Sequence, residues 1–298
     1  MYEFHTCDVF TRERFGGNPL AVLLDARGLS PRQMQQIARE FNYSETTFLL
    51  PPEAGGTHRV RIFTPAREVP FAGHPNIGTA FVLATAGLLG DFPDRTEVSF
   101  EEAAGRVVVR IEHCADGDIL CELSAPEGLA VGPEVSAARA AAALSLSTTD
   151  ITSERHAPVV ASVGLPFLLV EVRDIDALGR AQISQDGMNA LQAEGLPADV
   201  LFYTADSQGC GLRARMFAPL DGVPEDPATG SANAALCAYL AHIDDALDGE
   251  FRFRIRQGIE MGRPSMLEAS VSKQGGKVIE TRIGGYCVPV SQGKLHLD

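Results

Sequence analysis

Three ionisable residues of this chain, Glu45, His74 and Asp226, sit in patterns that suit proton chemistry. Glu45 follows Ser44 and precedes the apolar run Thr47–Leu50. There a glutamate is either a solvated loop residue or an acid–base group, and the pattern alone leaves both readings open. His74 lies between Gly73 and Pro75, ahead of an apolar helical stretch. It reads as a packed or capping histidine, or as an imidazole beside the free N–H groups of a helix start, where a carboxylate would bind. Asp226 before Pro227 reads as a helix cap, an Asx-turn residue or a site carboxylate. Gly73, Gly230 and Ser231 complete the set, since glycine lets backbone approach a ligand and a serine hydroxyl can hold one. Ser44 and Ser231 also read as plain turn or cap hydroxyls. Together these groups suit abstraction of a proton from a carbon acid, stabilisation of the enol or enolate, and return of the proton elsewhere.

The elements that must position them occur twice. Arg61–Leu83 (RIFTPAREVPFAGHPNIGTAFVL) and Arg215–Leu236 (RMFAPLDGVPEDPATGSANAAL) share Arg61/Arg215, Phe63/Phe217, Pro65/Pro219, Val69/Val223 and Pro70/Pro224 at one offset. After a two-residue adjustment, His74-Pro75-x-x-Gly78-Thr79-Ala80 lies over Asp226-Pro227-x-x-Gly230-Ser231-Ala232. Each copy reads as strand, turn and helix, with the helices expected to begin near Gly78-Thr79 and at Gly230. The duplication predicts two similar lobes whose helix starts face a shared cleft, bringing Glu45, His74 and Asp226 together.

The motifs GNP (Gly17–Pro19), SETTF (Ser44–Phe48), IFTP…VPFAGHP (Ile62–Pro75) and EDPATGSA (Glu225–Ala232) resemble those of the phenazine-biosynthesis PhzF-like isomerases, in order and spacing, over nearly the whole chain. The resemblance implies an α+β fold like that of diaminopimelate epimerase, with two lobes, each a curved, mostly antiparallel sheet or barrel wrapped around a central helix. It implies a cofactor-independent isomerase that moves a proton on a small cyclic carboxylate and works as a homodimer. It casts Glu45 as the proton carrier and His74 and Asp226 as residues that orient the substrate and assist, with Ser44, Gly73, Gly230 and Ser231 as substrate contacts. Two other readings stand beside it: a non-catalytic member that binds a small molecule or partner, and an epimerase. A two-thiol racemase of this fold would carry a cysteine at each helix start, where this chain has His74 and Asp226.

Bulk properties agree with this frame. With 298 residues the chain is long enough for two domains, and 45% hydrophobic against 21% charged residues is ordinary for a soluble protein. A formal charge of −14 argues against nucleic acid or an anionic membrane as the main partner. The start MYEFHTCDVF lacks a signal-peptide pattern, and no apolar run has bilayer length, so a cytoplasmic setting is expected. Six scattered cysteines lack metal-ligand spacing and read as reduced, small hydrophobes; Cys210, between two glycines, is the one candidate for a chemical role. No metal site is expected. The dinucleotide-binding, P-loop and serine-hydrolase motifs are missing, and no cofactor is expected.

In chain order, strands are expected at Tyr2–Phe10, Leu20–Asp25 and Thr47–Leu50, with a helix from Ser30-Pro31 to Phe41. Arg67 and Glu68 read as a loop ion pair or surface charges. Ala125–Pro133 is the best boundary, giving an N-terminal lobe over 1–124 and a C-terminal lobe over 125–298. A last strand near 288–297 is expected to return to the first lobe. Lys277–Gly284 and Val288–Leu295 read as separate strands.

Overall fold

The computed structural model describes residues 1–92, 94–206 and 211–297. The chain packs as two compact units, Met1–Ser124 with Gly284–Asp298, and Ala125–Ile283.

The first unit contains β1 (Tyr2–Val9), β2 (Asn18–Leu23), α1 (Pro31–Phe41), β3 (Glu45–Leu50), β4 (His58–Phe63), β5 (Glu68–Val69), α2 (Gly73–Thr85), β6 (Arg95–Glu102), β7 (Gly105–His113) and β8 (Ile119–Ser124). Strand β1 is antiparallel to β2, β2 parallel to β3, β3 antiparallel to β4, and β4 parallel to β6, which continues antiparallel through β7 to β8. The last strand of the chain pairs with both β8 and β1 and closes the ring. Helix α2 runs inside it, buried from Gly73 to Leu83 and packed on β1, β2, β3, β7 and β8. A helix apolar on all sides is stable only when strands surround it. Helix α1 lies outside. Ser30 and Gln33 form its capping box, Pro31 opens it, and Met34, Ile37 and Ala38 pack on Leu23, Phe48 and Phe63.

The second unit contains β9 (Ala130–Glu134), α3 (Ala137–Ala143), β10 (Val159–Ser162), β11 (Pro166–Glu171), α4 (Ile175–Arg180), α5 (Gln185–Ala193), β12 (Val200–Asp206), β13 (Gly211–Ala218), β14 (Val223–Asp226), α6 (Gly230–Ile243), β15 (Gly249–Gln257), β16 (Ser265–Gln274) and the first residues of β17 (Lys277–Leu295). Pairing repeats the pattern: β10 antiparallel to β11, β11 parallel to β12, β12 antiparallel to β13, β13 parallel to β15, β15 antiparallel to β16. Helix α6 is the buried axis, packed on β10, β11, β15 and β16. Its last carbonyls, on Ala241 and His242, accept from the buried ammonium of Lys273 at 2.9 and 3.2 Å. The two-lobed α+β fold expected from the sequence is present.

Several local expectations are corrected. Helix α2 starts at Gly73, five residues before the glycine expected to open it, and ends at Thr85. Pro75 does not delay it, because the third helical position needs no intrahelical N–H. Gly78 is instead a packing residue: a Cβ there would stand 2.5 Å from Leu20 Cδ2 and 2.7 Å from Val9 Cγ2. Glu45 is the first residue of β3 rather than a residue ahead of it. Part of the expected boundary stretch forms β9, paired with β10. Residues 277–295 are one strand, not two. Its glycines do not break it: Gly284 brings the backbone against β8, where a Cβ would lie 2.5 Å from the Cys121 carbonyl oxygen. Arg67 and Glu68 are surface charges, as one of the two readings had it, and Glu68 pairs with Arg61 at 2.7 and 2.6 Å.

Candidate active site

Glu45 and His74 meet inside the first unit. Residues 18–23 form an apolar strand that pairs in parallel with β3, and the register sets Glu45 opposite Leu20. The hydroxyls of Thr47 and Thr79 join β3 to α2 by a buried hydrogen bond of 2.9 Å. One turn before Thr79, His74 occupies the second position of α2 and is buried. His74 Nδ1 stands 3.1 Å from Glu45 Oε2, without the alignment of a made hydrogen bond. Catalytic contacts are often loose before substrate is bound. The Glu45 side chain is 18% exposed against 5% for His74, while its Oε2, the atom that faces the imidazole, is buried. Ser44 precedes it, and Gly73 is the first residue of the helix, buried.

The first turn of α2 carries no side-chain cap. Side chains of Ser30, Ser136, Asp174 and Ser184 accept from the first-turn N–H groups of α1, α3, α4 and α5. Neither central helix has such a cap: Ala72 precedes α2 and Thr229 precedes α6, each without a side-chain hydrogen bond to the first turn. An anion can take the place of that cap.

In the second unit, Asp226 ends β14, and Gly230 and Ser231 open α6. The Thr229 hydroxyl donates to Asp226 Oδ2 at 2.5 Å. Behind them lies Gln257, fully buried at the end of β15. Its Nε2 donates to the Asp226 carbonyl at 2.7 Å and to Thr229 Oγ1 at 3.1 Å, while its Oε1 accepts from Thr229 N at 3.2 Å and Asn233 Nδ2 at 2.7 Å. The backbone of Asp226 is thereby held by a side chain more than thirty residues away.

The helix positions also correct the alignment of the two copies. Gly73 matches Gly230, His74 matches Ser231, and Asn76 matches Asn233, while Asp226 lies four residues before its helix. From the shared Val-Pro pair, the second copy needs three more residues to reach its helix. Asn76 and Asn233 then do the same thing: each Nδ2 donates to the carbonyl four residues back, Ala72 at 3.0 Å and Thr229 at 2.9 Å. Sequence reasoning missed both, although Gly-x-x-Asn stands in each copy. It also missed Thr229 and Gln257. A threonine one residue before a helix was a readable signal, but nothing in the sequence pointed to Gln257.

Four of the described cysteines are poor candidates for a reactive thiol. Cys7, Cys121, Cys237 and Cys287 are buried, and burial raises their thiols, Cys287 to about 12. Cys210 lies outside the described residues. Among the described residues no group of three or more His, Cys, Asp or Glu is placed to hold a metal, and no helix is long and apolar enough to cross a membrane.

Residues 7–293 match the family of phenazine biosynthesis-like proteins. The chain is 40% identical to an uncharacterized isomerase of Mesorhizobium japonicum, over 97% of each chain. It is 33% identical, over the whole of both chains, to the trans-2,3-dihydro-3-hydroxyanthranilate isomerase of Pseudomonas fluorescens. Among solved structures it superposes on a PhzF-family phenazine biosynthesis protein of Bacillus anthracis with TM-score 0.89 and 25% identity, over 99% of each chain. A probable proline racemase of Agrobacterium radiobacter shares the fold, at TM-score 0.65 and 17% identity, over 100% of this chain and 94% of that one.

Proposed function

The chain belongs to the phenazine biosynthesis-like family and is an isomerase, and from that premise we propose that it moves a proton on a small cyclic carboxylate, with Glu45 as the carrier. The observation that carries this reading is the Glu45–His74 contact of 3.1 Å at the mouth of an uncapped helix. The Glu45 carboxylate takes a proton from one ring carbon. The C–H electron pair moves into the adjoining unsaturated system as an enol or enolate, and Glu45 returns the proton to a second carbon. Atoms and electrons balance within the substrate, so the step needs neither an oxidant nor a cofactor. His74, beside Glu45, steadies the carboxyl through both transfers.

The N–H groups at the start of α2, Gly73 among them, take the substrate carboxylate, aided by the helix dipole. Asp226 accepts hydrogen bonds from a substrate hydroxyl or amino group, and Ser44, Gly230 and Ser231 supply the remaining contacts. Asp226 suits that role because Thr229 and Gln257 fix its orientation. The same reading has the enzyme act in the cytoplasm as a homodimer.

The substrate named for the Pseudomonas fluorescens relative, trans-2,3-dihydro-3-hydroxyanthranilate, is the first to offer. In D₂O, NMR should show turnover with deuterium entering the product carbon. Glu45→Gln should lower turnover by about 10²–10⁴-fold, the usual worth of a positioned acid–base group. Full activity of Glu45→Gln would remove Glu45 from the chemistry. A wild-type protein that binds this substrate or a cyclic relative without exchanging any proton would favour the binding-protein reading.

A further inference from the structure

One carboxyl of the first unit has no part in the chemistry above. Glu102 is the last residue of β6, and neither of its carboxyl oxygens is reached by solvent or by a hydrogen bond. The turn that follows it is tied to the segment leading into α2, Ala104 N donating to the Pro70 carbonyl at 3.1 Å. Its neighbour is Asn76, in the first turns of that helix. The Asn76 Nδ2 bond to the Ala72 carbonyl fixes which end of the amide is which, and Oδ1 has no donor. An ionised Glu102 would add a buried charge beside that donorless oxygen. A neutral acid supplies the one proton the pair lacks.

The second unit contains the same arrangement with an amide in place of the carboxyl, and there too the asparagine, Asn233, has an Oδ1 without a donor. Parallel pairing sets His58 on Phe100 and Arg59 on Glu101 in one unit, and Leu212 on Ile255 and Arg213 on Arg256 in the other. One residue on, Glu102 and Gln257 hold the same place. Gln257 accepts from Asn233, the counterpart of Asn76, at 2.7 Å. Where one unit uses an amide, the other has a carboxyl.

We propose that Glu102 is a positioning residue which, as a neutral acid, pairs with the Asn76 amide and holds the first turn of α2 and His74 with it. The inference rests on the role given to His74 above. Burial pushes the Glu102 carboxyl up to about 8, against a weaker pull from the Asn76 amide. The charged groups on adjoining elements are engaged elsewhere. Glu101 alternates to the opposite face and accepts from the amides of Glu53, Ala54 and Gly56. Arg106 of β7 donates to Ser99 Oγ, Glu68 of β5 is bound by Arg61, and His74 faces Glu45. Ionisation of Glu102 would then take away the proton offered to the Asn76 Oδ1, leave the carboxylate only the Nδ2 side of that amide, and loosen the helix start in mildly alkaline solution.

The test follows the ring resonances of His74 by NMR between pH 6 and 9.5, in wild type, Glu102→Gln and Glu102→Ala, with turnover measured alongside. A step in the His74 signals with a midpoint near 8 is expected in wild type and is lost in Glu102→Gln, which keeps the shape and a permanent donor. Turnover should fall above that pH in wild type, and the fall should vanish in Glu102→Gln. Glu102→Ala should show displaced His74 signals at all pH values, with kcat down by about ten- to a hundred-fold and KM little changed. A step that persists in Glu102→Gln overturns the proposal, as does a wild type without one. If Glu102→Ala does not fold, the wild-type and Glu102→Gln titrations decide alone. The His74 step with no proton exchange on any cyclic carboxylate would sink the isomerase chemistry and leave the acid–amide pair standing.

Discussion

At the start of α2 the Asn76 amide reaches back to Ala72, and at the start of α6 the Asn233 amide reaches back to Thr229. The frames are alike down to strand register, yet their polar fillings differ. At the α6 end Gln257 bonds Thr229, the Asn233 Nδ2 and the Asp226 carbonyl, and Thr229 bonds the Asp226 carboxyl, while the Asn233 Oδ1 has no donor. At the α2 end, Glu102, the Asn76 Oδ1 and the Glu45 Oε2 are buried without a made hydrogen bond. A polar group buried without a partner costs about 1–3 kcal/mol. The two helix starts differ in their carboxyl groups: Asp226 is held by Thr229, whereas Glu102 and the Glu45 Oε2 have no made hydrogen bond.

The largest contrast is in the arginines that open the two repeats. Arg215 is buried, bound twice to Glu225 and also to the carbonyls of Leu178 and Ala181. Arg61 binds Glu68 with the same fork, but Glu68 is 40% exposed. Arg215→Met leaves a shielded carboxylate and two carbonyls without donors, and should cost about 3–5 kcal/mol in chemical denaturation. Arg61→Met should cost about 1 kcal/mol or less. Equal losses would mean that the two units do not use the repeat differently.

Next in size is the exchange that makes the α6 end resemble the α2 end. Gln257→Glu removes both Nε2 donors and places a carboxyl beside Asp226. At neutral pH the loss should be about 2–3 kcal/mol. Burial raises the folded-state pKa of the new acid above its unfolded value, so the folded form binds the proton more strongly. The penalty therefore grows as pH rises above the unfolded pKa and shrinks toward pH 4, where the protonated acid recovers a donor. A loss independent of pH between 4 and 8 would show that donors at this position do not matter.

How much of this was legible in the sequence follows from where the partners lie along the chain. The duplicated Arg-x-Phe and Val-Pro spacings lie within a few residues of one another, and they exposed the two-unit plan. The same short range misled at Gly78-Thr79, where a glycine placed for close packing looked like a helix start. Glu102 and Gln257 could not be seen, because only strand register brings them to their asparagines across more than twenty residues of chain. Glu45 and His74 stood out by type and by family motif, but their 3.1 Å contact depends on the Thr47–Thr79 hydrogen bond, which the sequence does not announce.

Gly78 also supplies the smallest difference between the two helices. Counting from the helix starts, its counterpart in α6 is Ala235, which is fully buried. Gly78→Ala should improve helix propensity by about 1 kcal/mol and still destabilise the protein. The new methyl would press on Leu20 and Val9 inside 2.8 Å, and overpacking of that kind costs about 1–3 kcal/mol. Because Gly78 lies one turn after His74, the shift of α2 away from β1 and β2 should also loosen the Glu45–His74 contact, so turnover should fall with stability. Ala235→Gly should cost about 1 kcal/mol, from propensity and a lost methyl, with turnover unchanged. If Gly78→Ala lowered stability and left turnover intact, the axis of the first unit would be a support for the site and not one of its parts.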